Sequence, residues 1–238
     1  MRKEIPILFS TPMVEALLAG RKTQTRRIIK PPFEFIGASR YLSKPDKSER
    51  FIPYDCPYGQ PGDLLWVRET WCNAIEEKEE YLYRATHEAF NDEGGSPWKP
   101  SIHMPKAAAR IWHEVTGIRV ERIADISEED CIAEGIHLQE TGFYCWEPDL
   151  GLQFSARSAK EAFRKLWKLI NGQPRPVQEK INGKIVTVAY EVYPFNEEDG
   201  KEFIGLTEWK GKPLTVCINP WVWVVEFKVL STTGKPKI

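Results

Sequence analysis

Nothing in this chain approaches the roughly 18 consecutive apolar residues of a membrane span, and Met1-Arg2-Lys3-Glu4-Ile5-Pro6 is not followed by the apolar stretch and small-residue cleavage site of a signal peptide. No membrane partner is expected, and a cytoplasmic location is the default. Cysteine is sparse: Cys56, Cys72, Cys131, Cys145 and Cys217 are scattered, odd in number and never spaced C-x-x-C. That argues against a disulfide framework and against a zinc knuckle, and predicts reduced thiols. His87, His103, His113 and His137 form no H-x-x-x-H pair, so neither a metal nor a cofactor is expected. Net charge is almost absent as well. Thirty-three Lys and Arg face 34 Asp and Glu, which leaves −1 and no overall positive field to recruit nucleic acid. Any basic surface must be local.

What is present is ample material for a core. The 238 residues are 42% hydrophobic and include 9 Trp, enough to offset the entropy of ordering the chain. The length allows one elaborated domain or two small ones. Ile5 to Phe9 reads as a first strand. Thr11-Pro12 then opens a helix with Thr11 as N-cap, and Gly20 ends it in a left-handed conformation. The Pro-rich stretch from Pro31 to Pro61 lacks periodicity and reads as a long excursion. Strands are predicted over Leu64 to Trp71 and Tyr81 to Ala85, and over Ala109 to Val115 and Ile118 to Ile123 with a bulge or tight hairpin between the last two. Lys184 to Tyr193 and Trp221 to Leu230 complete the set. Ser127 caps a short helix running to Glu134, and Ser158-Ala159-Lys160-Glu161 opens a longer one with Phe163, Leu166, Trp167 and Ile170 facing inward. Strands outnumber helices and do not alternate with them regularly, which predicts an α+β fold built on a mixed β-barrel with short packed helices.

One segment departs from the neutral whole. No acid lies between Glu15 and Glu34, whereas Arg21, Lys22, Arg26, Arg27 and Lys30 supply five positive charges. Such a cluster is either a solvated helix end favoured by the helix dipole or a phosphate or nucleotide pocket using the forked donors of Arg. Crowding lowers the pKa of Lys22 while a helix C-terminus raises it, and the net sign stays open. If repulsion wins, Lys22 is a general base for the hydroxyl of Thr23 or Thr25; a single Thr is otherwise a capping or strand residue.

Leu18-Ala19-Gly20-Arg21-Lys22-Thr23-Gln24-Thr25-Arg26 resembles the G-x-K-T-x-T/E-x-R signature of the ASCH family, a PUA-like group of RNA-associated domains. Pro61-Gly62-Asp63-Leu64-Leu65-Trp66-Val67, the helix from Ile126 to Gly135 and the strand from Trp223 to Val229 resemble further family segments in the right order. The likeness covers about half the chain. It implies a single PUA-like barrel domain with large insertions at about 33–57, 72–105 and 137–220, similar to the elaborated ASCH proteins of phages and prophages. It also implies, by carry-over from small amidohydrolases that deacetylate N(4)-acetylcytidine, a catalytic set of Lys22, Thr25 and Glu134. Arg21, Arg26, Arg27, Arg68 and Glu69 are then candidates for contacts to RNA or a modified nucleoside. Other family members are ribonucleases or RNA binders, so a non-catalytic RNA-binding or phage–host interaction module stays open beside the enzyme. For Trp66, Trp71, Trp112, Trp221 and Trp223, strand alternation favours core packing over base stacking.

Overall fold

The computed structural model describes residues 2–29, 34–36, 41–45, 51–53, 55–73, 81–87, 98–146, 156–173, 175–192, 208–216 and 219–237. In chain order the strands and helices are β1 (Glu4–Leu8), α1 (Thr11–Leu18), β2 (Gln24–Ile28), β3 (Glu34–Ile36), β4 (Tyr41–Pro45), β5 (Phe51–Pro53), β6 (Leu64–Arg68), β7 (Trp71–Asn73), β8 (Tyr81–Tyr83) and β9 (Trp112–Arg122). They continue with α2 (Glu128–Ala133), β10 (His137–Leu138), β11 (Tyr144–Cys145), α3 (Ala159–Asn171), β12 (Arg175–Ile181), β13 (Lys184–Val192), β14 (Glu208–Trp209), β15 (Lys212–Val216) and β16 (Trp221–Ser231). The fold is mixed α+β and dominated by sheet. By chain contacts it divides into two compact units, one of Met1–Arg119, Ala133–Gly135 and Trp223–Ile238, the other of Val120–Ile132 and Ile136–Val222.

The first unit carries the five-stranded sheet, ordered β1-β6-β9-β16-β2. β1 runs parallel to β6, with Glu4 opposite Leu64 and Leu8 opposite Arg68, and β6 runs antiparallel to β9 with Trp66 opposite Trp112. Instead of the expected barrel the ladder is open, with β1 and β2 at its two ends and no closure among the described residues. Ile7, Leu65, Val67, Ile111, Val224 and Val225 are all buried, and β6 and β16 each bury four consecutive residues, as strands covered on both faces do. Trp66, Trp71 and Trp112 form an aromatic cluster with Leu64, Met104, Ala108 and Ala109, so these indoles are core residues. At the start and end of the chain, Glu4 accepts ion pairs from Lys106 and from Lys235, the latter at 2.7 Å, and Gly234 N–H donates to the Arg110 carbonyl.

Three expectations change here. The excursion before Pro61 contains an antiparallel three-stranded sheet, β3-β4-β5. The strand predicted to run to Trp71 breaks after Arg68, and Trp71–Asn73 pairs instead with Tyr81–Tyr83. Ala109 to Ile123 is not a hairpin: β9 passes straight through Thr116-Gly117. Gly117 leaves room here for the Glu226 carboxylate of β16, which pairs with Arg119: a Cβ at 117 would lie 2.5 Å from it.

The second unit holds the β10-β11 hairpin, α3 and the sheet β12-β13-β15-β14. β12 and β13 meet at Asn182-Gly183, where φ is 51° and 79°, the paired left-handed conformation that a two-residue hairpin turn requires. α3 starts as predicted: Ser158 Oγ accepts from Glu161 N–H at 3.2 Å. Its buried face is Ala159, Ala162, Phe163 and Trp167, whereas Ile170 is 48% exposed.

Candidate functional site

Local rules aim Lys22 inward. α1 begins after Ser10, one residue before the expected cap at Thr11, with Pro12 in its first turn. It ends as a Schellman motif: Gly20 N–H bonds the Leu17 carbonyl, Arg21 N–H bonds the Ala16 carbonyl, and Gly20 takes φ 70°. Lys22 N–H also reaches the Ala16 carbonyl, so the chain folds back under the helix and Lys22 is 1% exposed. The signature therefore does not end in a solvated tail. It turns under α1 and becomes β2, which is joined to β16 through a bond from Phe227 N–H to the Thr23 carbonyl.

The tripeptide Ala133-Glu134-Gly135 is laced to that turn at successive points. Thr23 N–H donates to the Ala133 carbonyl at 2.8 Å, and Arg21 Nη1 donates to the Gly135 carbonyl at 3.1 Å. Lys22 Nζ donates to both the backbone carbonyl and Oε2 of Glu134, each at 2.7 Å, and Arg26 Nη1 donates to Oε1 at 3.2 Å. One buried carboxylate is thus bridged by two buried cations. Gly135 permits the close approach: its φ is 108°, and a Cβ there would sit 3.1 Å from that of Ala16.

A second wall is aromatic. The Phe9 ring lies 5.7 Å from Lys22 Nζ and 5.3 Å from the Arg27 guanidinium, which also faces Tyr58 at 5.9 Å and donates to the Leu8 carbonyl. Phe9 also meets His113 edge-on, and His113 stacks on Phe227 with centroids 4.5 Å apart. Burial holds the Lys22 ammonium below the usual lysine range against the raising effect of Glu134, and the charges of Arg27 and Arg26 add to the lowering. The sign left open by sequence is therefore downward, with desolvation as its main cause. Burial, followed by the charge of Lys22, pushes His113 down to about 3.

Lys22, Glu134, Arg26 and Arg21 are brought together, with Arg27 beside them across Phe9. Thr25 is buried on β2, and strand alternation puts it on the face of Arg27 rather than that of Arg26. The hydrogen bonds of Lys22 Nζ go to Glu134 and leave Thr25 Oγ1 unengaged by it. Arg68 and Glu69 bond elsewhere. Arg68 donates to the Ile102 carbonyl, and Glu69 takes a two-pronged bond from Arg110, 2.9 Å on each oxygen, with Arg110 stacked 4.1 Å from Tyr83. Burial raises the Glu69 carboxyl, and Arg110 opposes the rise.

Sequence reasoning missed Phe9, Phe227, Tyr58 and His113. A signal existed for His113, which alternates with the apolar Ile111 and Val115. Among the described residues no three His, Cys, Asp or Glu side chains gather as metal ligands, and no helix is long and apolar enough to cross a membrane.

No family model, curated protein or solved structure matches the chain. The function therefore has to be read from the site.

Proposed function

We propose that this chain is an ASCH-like, PUA-related protein that takes a modified nucleoside into the Lys22–Glu134 site and hydrolyses its exocyclic amide, with N(4)-acetylcytidine as the reference substrate. The observation that carries this reading is the buried pair of Lys22 Nζ and Glu134 Oε2 at 2.7 Å. Two groups that exchange a proton readily are held away from water, and the hydroxyl of Thr25, three residues along on β2, is the nucleophile the proposal adds to them. The lowered pKa of Lys22 supports its role as base. In the proposed reaction Thr25 Oγ1 attacks the acyl carbonyl and Lys22, in its neutral form, takes the hydroxyl proton. That proton passes across the 2.7 Å bond from Lys22 Nζ to Glu134 Oε2, and Glu134 gives it to the departing amine of the base. Water then attacks the acyl-threonine and releases acetate.

Burial also argues about size. Lys22 and Arg26 are too enclosed to track a phosphate backbone, which favours a small ligand over a polynucleotide. Arg21 and Arg27 are only half-buried, and through them a phosphate contact to RNA is the second reading.

Acetate release from N(4)-acetylcytidine tests the proposal. Thr25→Ala is expected to lower turnover by about a thousandfold or more and Glu134→Gln by about a hundredfold. Absence of wild-type turnover, with RNA binding that weakens steeply as salt rises and depends on Arg21 and Arg27, would replace the enzyme with the binding module.

A further inference from the structure

His113 is fully buried in β9, and neither ring nitrogen has a hydrogen-bond partner. This is an expensive arrangement. An imidazole always carries at least one N–H donor, and its neutral form also carries one acceptor; each left unsatisfied away from water is destabilising. An aliphatic or Phe side chain would fill the same space without that cost, since the ring already lies flat on Phe227 and edge-on to Phe9. The orphaned nitrogens are also not in a remote part of the core. Phe9 is in ring contact with His113 and lies 5.7 Å from Lys22 Nζ, so the imidazole is one aromatic ring removed from the Lys22–Glu134 pair.

We infer that His113 is the neutral hydrogen-bonding contact for the bound ligand, a specificity-determining residue that engages an uncharged amide or carbonyl edge such as that of a pyrimidine base. The inference rests on the reading of the site given above. Electrostatics divides the labour: buried away from water the imidazole stays uncharged, so it neither attracts an anion nor repels a cation, and it offers one donor and one acceptor. Arg27, 5.3 Å from the same Phe9 ring, is the group suited to negative charge. A ligand with a neutral polar edge would supply the partners that the two ring nitrogens lack.

The test pairs stability with binding, because a structural histidine and a ligand-binding one respond differently. His113→Phe keeps the ring contacts and deletes the orphaned nitrogens, so its Tm is expected to equal that of the wild type or rise by about 2–4 °C. Its affinity for cytidine and N(4)-acetylcytidine, measured by calorimetry, is expected to fall about tenfold. His113→Asn restores a polar atom near Nδ1 and His113→Gln one near Nε2, and whichever nitrogen serves the ligand, its mimic should recover part of the loss. Wild-type binding with unchanged affinity in all three variants overturns the inference and leaves His113 with a buried water or a purely structural role. A lower Tm in His113→Phe with unchanged affinity does the same. Failure of the wild type to bind either nucleoside overturns the functional reading itself and this inference with it.

Discussion

Lys22, for which the sequence left a solvated helix end and a pocket both open, is buried against Glu134. Removing one member of a buried pair leaves the other charge uncompensated, which costs about 3–5 kcal/mol, whereas deleting a single hydroxyl costs about 1 kcal/mol. Lys22→Met is therefore expected to destabilise the protein by about 3–5 kcal/mol in urea titration and Thr25→Ala by far less. Loss of activity in Thr25→Ala is the cleaner evidence for chemistry. His113 gives a second residue-scale prediction. Its pKa is about 3 in the folded chain against an ordinary value of 6.5, so unfolding takes up a proton between those limits. The stability lost to keeping it neutral is nil above pH 6.5 and grows as pH falls toward 3, by at most about 1.4 kcal/mol per unit. Glu69, with its carboxyl raised by burial, acts in the opposite sense above pH 4.5, so the comparison is made with His113→Phe. The stability difference between variant and wild type should grow in favour of the variant from pH 7 to pH 5; parallel pH profiles would count against the buried neutral ring. The basic run around Lys22 was legible in sequence because its residues are contiguous. His113 was not, since its meaning depends on what Phe9 and Phe227 leave unbonded around it.

The Schellman turn of α1 decides the direction in which the signature travels. Gly20 sits at φ 70° with no atom within 4 Å of an added Cβ, so a substitution there pays only in backbone conformation. Gly20→Ala is expected to cost about 1 kcal/mol and Gly20→Asn less, because Asn tolerates the left-handed region better. Thermal unfolding measures both. This glycine was readable in advance because helix termination is a sequence-local event. The inward face of α3 was only half readable. The pattern Phe163, Leu166, Trp167, Ile170 weighs large side chains, but the helix buries Ala159, Phe163, Trp167 and Asn171 at i, i+4, i+8 and i+12. Two small alanines rotate the stripe toward themselves and leave Leu169 and Ile170 outside. Gly117 misled for a related reason, since glycine breaks an isolated strand pattern yet here only makes room for Glu226 on the neighbouring strand.

At the scale of the whole molecule, a net charge of −1 conceals a buried site rich in cations, and no composition-level argument could have placed those charges under a helix instead of on a surface. The strand-rich class was legible because alternation is a property of each segment. The strand order, with β16 inserted between β9 and β2, was not, because pairing partners are chosen across the chain. The Lys235–Glu4 ion pair carries one further consequence. Two residues at opposite ends of the sequence lie within a side chain's reach of each other, so the chain traces something near a loop, and the position at which that loop is cut matters less than the sheet it feeds. A circular permutant that connects 237 to 2 by a short Gly-Ser linker, with new ends opened at Asn182-Gly183, should unfold cooperatively at close to the parent's urea midpoint. A permutant that fails to fold would mean that the order of synthesis, as well as the final contacts, selects this topology.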